Sequence, residues 1–112
     1  MASFWKNNKF LVTGGSGFLG SHLIKEMRER GGSQIIIPRS KNVNLVKREN
    51  CKMVVQGQDI VIHLAAKVGG IGYNREYPGE MFFENIMMSV QLMEEARLAE
   101  VKKFVALGTV CC

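Results

Sequence analysis

Three glycines, Gly14, Gly17 and Gly20, are evenly spaced in the segment Thr-Gly-Gly-Ser-Gly-Phe-Leu-Gly that starts at Thr13. An apolar run precedes the segment and a helical pattern follows it, which indicates a strand-to-helix turn. In such a turn the first glycine permits the tight bend, the second lets the backbone approach a pyrophosphate, and the third lets the helix pack closely on the sheet. The helix amino terminus attracts phosphates. The spacing favours nucleotide binding over a turn that only joins strand to helix, with contacts from Gly14, Gly17, Phe18, Leu19 and Gly20.

The residues at the end of the second apolar run, 34–37, indicate which nucleotide would bind. About 20 residues beyond such a turn, an acid contacts the ribose of NAD, whereas Arg contacts the 2′-phosphate of NADP. The sequence here reads Pro-Arg-Ser-Lys from Pro38, and no acid lies between Glu29 and Glu49. We therefore predict NADP (NADPH) as the cofactor, with Arg39 contacting its 2′-phosphate. The alternative is that Arg39 is only a solvated surface charge.

The cysteines show no metal or disulfide pattern. Cys51, Cys111 and Cys112 are odd in number and include no Cys-x-x-Cys pair, which argues against a zinc site and a disulfide framework. We predict no metal site and a reducing compartment, the cytoplasm. No run approaches the roughly 18 apolar residues of a membrane span, and residues 1–10 lack a signal-peptide core. We therefore expect no membrane contact.

The charge favours small anionic partners. The net charge is +5, from 15 Lys and Arg against 10 Asp and Glu. The basic residues are scattered and do not alternate with aromatic residues, so we predict no nucleic-acid partner and expect phosphorylated small molecules instead.

Apolar patterning predicts alternating strands and helices. The predicted strands begin at Phe10 and cover 34–37, 59–64 and 103–107, and the predicted helices cover 18–30, 44–56 and 80–100. This alternation predicts an α/β fold with a doubly wound parallel sheet, the NAD(P)-binding Rossmann fold, whose ligands bind at the carboxyl ends of the strands. The runs 34–37 and 59–64 are expected to be buried on both faces. Residues 38–42 are too few for a helical crossover, so one helix of the regular pattern is predicted to be missing.

Length limits the domain count. A chain of 112 residues is one domain or a piece of one. We expect residues 1–8 to be an amino-terminal extension and residues 9–112 to be the amino-terminal part of a Rossmann domain.

A second motif is more specific. It reads His-Leu-Ala-Ala-Lys-Val-Gly-Gly-Ile-Gly from His63 and is followed by Asn-Arg-Glu at 74–76 and Pro-Gly-Glu at 78–80. With the glycine turn and the final Gly-Thr-Val-Cys from Gly108, the sequence closely resembles the GDP-L-fucose synthases, a family of extended short-chain dehydrogenases/reductases. The resemblance implies an NADP-dependent enzyme that epimerises GDP-4-keto-6-deoxy-mannose at C3 and C5 and then reduces the 4-keto group.

The resemblance also implies site residues. Thr109 falls on the catalytic Ser/Thr that hydrogen-bonds the 4-keto oxygen, and Cys111 falls on the acid/base cysteine of epimerisation. Leu64, Ala65 and Ala66 fall where the cofactor lies against a strand end. Outside the family context, Cys111 would be interpreted as a buried packing residue. His22 and His63 have apolar neighbours in sequence, and we predict packing roles for both.

One family feature is missing from this sequence. Members of this superfamily use a Tyr and a Lys four residues later to donate the proton. In this sequence no Tyr is followed four residues later by Lys. We therefore expect an amino-terminal fragment that lacks the carboxyl-terminal part and substrate domain and is inactive alone. Two alternatives stay open: a non-catalytic nucleotide-binding module, and another NAD(P)-dependent nucleotide-sugar epimerase or dehydratase.

The predicted helix over 80–100 is apolar on more than one face, whereas packing on one sheet needs a single stripe. The surplus suggests a homodimer through this helix in the full-length enzyme, or a carboxyl-terminal portion that covers it.

Overall fold

The computed structural model describes residues 2–15, 17–38, 44–64 and 78–106. Helices and strands alternate along these residues. In chain order they are α1 (Ala2–Asn7), β1 (Phe10–Thr13), α2 (Phe18–Glu29), β2 (Ile35–Ile36), α3 (Arg48–Val55), β3 (Ile60–His63), α4 (Pro78–Leu98) and β4 (Lys103–Ala106).

The strands form one parallel sheet in the order β2-β1-β3-β4. The chain leaves β1 for β2 on one side and then returns across β1 to β3 and β4. The winding therefore reverses between β1 and β3, and doubly wound sheets bind ligands in the crevice outside the carboxyl ends of such strands. The predicted doubly wound fold is confirmed.

Helices cover both faces of the sheet. On one face Leu11 and Val61 pack with residues of α3 and α4, including Val55 and Leu92. On the other face Phe10, Val12 and Ile60 pack with Ile24 and Met27 of α2. Because successive side chains of β1 point to opposite faces, both faces must be apolar, and this explains the uninterrupted apolar run.

The second predicted strand is the exception. The run 34–37 contains only the two strand residues Ile35 and Ile36, and Ile36 is 49% exposed. The prediction that this run is buried on both faces is therefore wrong. Ile36 is exposed because β2 lies at the edge of the sheet among the described strands and pairs only with β1.

The predicted start of the next helix is also wrong. Asn44 does not cap it, because the Asn44 side-chain oxygen accepts the backbone N–H of Val46 at 3.1 Å and forms a local turn. The helix α3 begins at Arg48, with Lys47 in the N-cap position.

Asp59 ties three strands together at their amino-terminal ends. Its carboxylate accepts the backbone N–H of Lys9 at 2.8 Å and lies 3.7 Å from the Lys102 ammonium. Its backbone N–H donates to the Lys9 carbonyl at 2.9 Å, and its carbonyl accepts the Lys102 N–H at 2.8 Å. One residue thus aligns the starts of β1, β3 and β4.

Residues 2–7, predicted as part of an extension, form α1 beside the sheet. The Trp5 ring stacks on Phe10 with centroids 5.5 Å apart, and Phe4 packs edge-on against Trp5 at 5.1 Å. These aromatic contacts attach α1 to the start of β1.

Candidate functional site

The glycine turn lies at the carboxyl end of β1, where the crevice opens. Gly14 has a φ of +75°, which only glycine adopts without steric cost. The Gly17 N–H donates to the Gly14 carbonyl at 3.1 Å and closes the turn. The helix α2 follows at once, so its first N–H groups lie at the edge of the crevice.

Gly20 is required by packing. A Cβ at this position would lie 2.7 Å from the Gly15 Cα and would also collide with the Gly14 carbonyl oxygen. Neither neighbour is a flexible side chain, so a larger residue would push α2 away from the turn.

Gly17 differs from the other two glycines. Its φ of −76° and ψ of −179° suit any residue, and a Cβ there would meet only the Gly14 oxygen at 3.4 Å among the described residues. The chain's own described structure therefore gives no reason for glycine here. Close approach of a ligand to the backbone would supply that reason.

Two large apolar side chains stand exposed at this helix terminus. Phe18 is 84% exposed and Leu19 is 50% exposed. The Phe18 ring packs edge-on against His22 at 4.8 Å. His22 is exposed, so the expectation that it packs among apolar neighbours is wrong, because its position on α2 faces away from the sheet.

Across the crevice, β3 ends beside the glycine turn. The Leu64 N–H donates to the Thr13 carbonyl at 3.0 Å and to the Thr13 hydroxyl oxygen at 3.1 Å. Leu64 is half-buried against the apolar cluster on the α2 face. The described cofactor candidates therefore lie at the ends of two adjacent strands.

His63 lies beneath this edge and is buried. Its Nδ1 lies 2.7 Å from the Thr13 hydroxyl and its Nε2 lies 3.1 Å from the Ser89 hydroxyl on α4. Burial lowers the pKa of His63, because the charged imidazolium would lose its hydration. The predicted packing role is confirmed. Sequence reasoning missed Thr13 and Ser89, and only the register of β1 with β3 could have indicated Thr13.

An open cavity of about 700 Å³ is lined by Gly15 of the glycine turn, by Ile37 just after β2, and by the α2 residues Ser21, Ile24, Lys25, Arg28 and Glu29. The ribose end of a dinucleotide would be expected near the end of β2. The charged side chains of the lining are two cations, Lys25 and Arg28, and one carboxylate, Glu29. The cavity thus places net positive charge beside the end of β2.

Five predicted site residues lie outside the described residues. They are Arg39, Ala65, Ala66, Thr109 and Cys111.

Cys51 has no features of a reactive thiol. Its Sγ donates to the Leu45 carbonyl at 3.1 Å, and burial raises its pKa to about 11. No three His, Cys, Asp or Glu side chains in the described ranges are arranged to hold a metal ion. None of the described helices is both long enough and apolar enough to cross a membrane.

Residues 10–112 match the family model described as "NAD dependent epimerase/dehydratase family". GDP-mannose 3,5-epimerase from Arabidopsis thaliana is 30% identical over 124 residues, covering 96% of this chain and 33% of that protein. GDP-L-fucose synthase from Azorhizobium caulinodans is 32% identical over 108 residues, covering 95% and 34%. The chain therefore spans about a third of these relatives.

A solved structure shares the fold. It is GDP-mannoheptose C4 reductase from Campylobacter jejuni with NADP bound, at a TM-score of 0.85 and 22% identity, covering 92% of this chain and 31% of that one.

We predict that Gly20→Ala destabilises the protein by about 1–3 kcal/mol, because the methyl group overpacks against backbone. Gly79→Ala is the matched control, since a Cβ at Gly79 of α4 meets nothing within 4 Å. This control should be neutral or slightly stabilising, because Ala favours helix. Urea unfolding measures both free energies. Equal values for the two variants would contradict the close packing at Gly20.

We also predict that burial of His63 makes stability depend on pH. The unfolded state binds a proton near the ordinary pKa of 6.5 while the folded state resists it, so stability is full above that value and is lost as pH falls below it. The loss is at most about 1.4 kcal/mol per pH unit.

Urea unfolding at pH 7.5, 6.5 and 5.5 measures this loss. His63→Asn should flatten the pH dependence relative to wild type. Parallel curves for wild type and His63→Asn would exclude His63 as the source.

Proposed function

The chain belongs to the NAD dependent epimerase/dehydratase family, and from this premise we propose that it is the cofactor-binding part of an NADP-dependent nucleotide-sugar epimerase/reductase. The proposed reaction of the full-length protein converts GDP-4-keto-6-deoxy-mannose to GDP-L-fucose. The proposed location is the cytoplasm.

The observation that carries the cofactor proposal is the glycine turn. Gly14 is explained by its backbone conformation and Gly20 by helix packing, but Gly17 has neither explanation among the described residues. A pyrophosphate that approaches the backbone at Gly17 and the first N–H groups of α2 would account for it. Backbone contacts are proposed for Gly14, Gly17, Phe18, Leu19 and Gly20.

Charge beside β2 supports NADP over NAD. Arg39 follows the end of this strand, and no acid occurs between Glu29 and Glu49. Lys25 and Arg28 line the adjoining cavity. A guanidinium binds phosphate through two parallel hydrogen bonds, so we assign the 2′-phosphate to Arg39. The cavity cations add attraction at longer range.

The substrate assignment rests on the resemblance of the sequence and on the relatives. In the proposed reaction, the Thr109 hydroxyl donates a hydrogen bond to the 4-keto oxygen. This bond stabilises the negative charge that develops when a proton leaves the adjacent carbon. The Cys111 thiol exchanges protons at C3 and C5. Leu64, Ala65 and Ala66 form the wall for the nicotinamide half of the cofactor. When bound, NADPH supplies the hydride that reduces C4.

A second candidate is a GDP-sugar 3,5-epimerase that performs no net reduction. GDP-mannose 3,5-epimerase from Arabidopsis thaliana matches this chain over 96% of its length, as widely as the GDP-L-fucose synthase does. Both candidates remove protons from carbons next to a 4-keto group. GDP-mannose has no keto group, so the second candidate would also need an oxidised nicotinamide cofactor to take the C4 hydride and later return it. The first candidate consumes NADPH, whereas the second has no net consumption of cofactor.

We propose a homodimer through α4. Phe83, Ile86, Val90 and Met93 are each between 43% and 57% exposed. Their spacing of three, four and three residues places them in one stripe, the pattern of helix pairing. Met88, Leu92 and Ala96 are buried against the sheet, so the stripe is additional apolar surface.

Gly17→Ala should weaken NADPH binding at least tenfold without loss of stability. The methyl group would meet the ligand, whereas its one contact with the described chain, the Gly14 oxygen at 3.4 Å, is an ordinary van der Waals contact. Gly79→Ala, at an exposed position of α4, is the matched control.

Arg39→Ala should weaken the binding of NADPH but not of NADH. Arg30→Ala, at the exposed C-cap of α2, is the matched control. Calorimetric titration of the full-length protein measures all affinities. Equal wild-type affinity for NADPH and NADH would remove the role of Arg39, and no binding of either nucleotide would overturn the cofactor proposal.

The two candidate reactions give different products. When the full-length protein is mixed with NADPH and GDP-4-keto-6-deoxy-mannose, the absorbance of NADPH should fall as GDP-L-fucose forms. Cys111→Ser should slow this by about 10²-fold or more, as expected for loss of an acid/base group. Epimerisation of GDP-mannose in the presence of oxidised cofactor (NAD⁺ or NADP⁺), with no net change in the nicotinamide absorbance, would favour the second candidate. Undiminished 3,5-epimerisation by Cys111→Ser would exclude the thiol.

Val90→Glu should convert the dimer to a monomer, because it places a charge in the centre of the apolar stripe. Met53→Glu is the control, since Met53 is an exposed apolar residue of α3 outside the stripe. Light scattering after size exclusion measures the mass of both variants. A monomeric wild-type protein, or a dimeric Val90→Glu variant, would show that the stripe has another role.

A further inference from the structure

Three polar side chains form a connected network directly beneath the candidate cofactor site. Thr13 is the last residue of β1, His63 is the last residue of β3, and Ser89 lies on α4. The Thr13 hydroxyl is 2.7 Å from His63 Nδ1, and the Ser89 hydroxyl is 3.1 Å from His63 Nε2. One imidazole ring therefore joins two central strands to a helix on one face of the sheet.

The surroundings make this polar network unusual within the molecule. Four polar or charged residues are buried in the described part of the chain, and two of them are Thr13 and His63. The rest of β1 and most of β3 are packed with apolar side chains. Apolar packing has no fixed direction, whereas hydrogen bonds fix both a distance and an orientation.

The hydrogen bonds hold the ring in one orientation. The Thr13 hydroxyl lies against Nδ1 and its oxygen also accepts the Leu64 N–H at 3.1 Å. A neutral imidazole has one acceptor nitrogen and one N–H. The ring can therefore donate to one of the two hydroxyl groups and accept a hydrogen bond from the other.

The network ends at the two segments that would hold the dinucleotide. Thr13 precedes Gly14, whose backbone starts the glycine turn. The Leu64 N–H donates to both oxygens of Thr13. The Thr13 hydroxyl lies between the His63 ring and the Leu64 N–H, so a change at the ring would act on the contact between β1 and Leu64.

We infer that His63 is a positioning residue for the cofactor site. It acts through Thr13 to hold the glycine turn and Leu64 at a fixed separation, and Ser89 fixes the orientation of the ring. This inference rests on the proposed function, because the turn is taken to bind NADP.

The test uses the full-length protein and two variants that each cut one end of the network. Thr13→Val keeps the side-chain shape and removes the hydroxyl, and Ser89→Ala removes the partner of Nε2. Thr13→Ser retains the hydroxyl and is the rescue variant. Val55→Ala is the control for destabilisation alone, because Val55 is fully buried on α3 and takes no part in the network.

We expect Thr13→Val and Ser89→Ala to raise the Kd for NADPH about five- to tenfold. Thr13→Ser should stay within about twofold of wild type. Val55→Ala should lower the melting temperature and leave the Kd unchanged. If Thr13→Val and Ser89→Ala lower only the melting temperature, as Val55→Ala does, the network is merely structural and the inference is overturned.

A second measurement is independent of the cofactor. In ¹⁵N spectra of the protein without nucleotide, wild-type His63 should show a single neutral tautomer, because both ring nitrogens have fixed partners. The amide signals of Gly14, Gly15 and Gly17 should shift in Ser89→Ala and Thr13→Val but not in Val55→Ala. Unshifted glycine signals would overturn the positioning role. Absence of NADPH binding by the wild type, with shifted glycine signals, would overturn the proposed function alone.

Discussion

The parallel pairing of β1 with β3 is the constraint on which the rest of the structure depends. It is fixed at one end by Asp59, which directly precedes β3 and accepts the N–H of Lys9, and at the other end by His63, the last residue of β3, which meets Thr13. Between these two ends, four residue pairs lie in register. Because the winding of the chain reverses at this pair, a crevice for a ligand is expected at its carboxyl end.

The glycine turn shows how one motif meets several physical demands. Gly14 adopts a positive φ, a backbone conformation that is strained for residues with a side chain, and Gly20 allows the helix α2 to lie against the turn. Gly17 leaves room that no described part of the chain occupies. This division explains why the motif indicates a ligand site more strongly than the glycine count alone.

Sequence patterns identified most elements, because apolar runs and helical spacing reflect local burial. The predicted strands at Phe10 and over 59–64 were found, as was the long helix near 80–100. One error concerns a strand neighbour that lies far away in sequence, and the other concerns a choice between two local hydrogen-bond patterns. The run 34–37 was expected to be covered on both faces, but β2 has one partner strand. Asn44 was expected to cap a helix, but it closes a local turn.

By itself, the sequence determined the glycine turn, the alternation of strands and helices that indicates a doubly wound fold, and the broad epimerase/dehydratase family, because each follows from patterns along the chain. It also supplied the prediction that the cofactor is NADP, through Arg39. The tertiary structure decided which glycine lacks a structural reason and which side chains surround His63. Thr13 and Ser89 lie 50 and 26 residues from His63, and no local pattern links them. Only the folded sheet and the helix packed on it bring these three side chains within hydrogen-bonding distance.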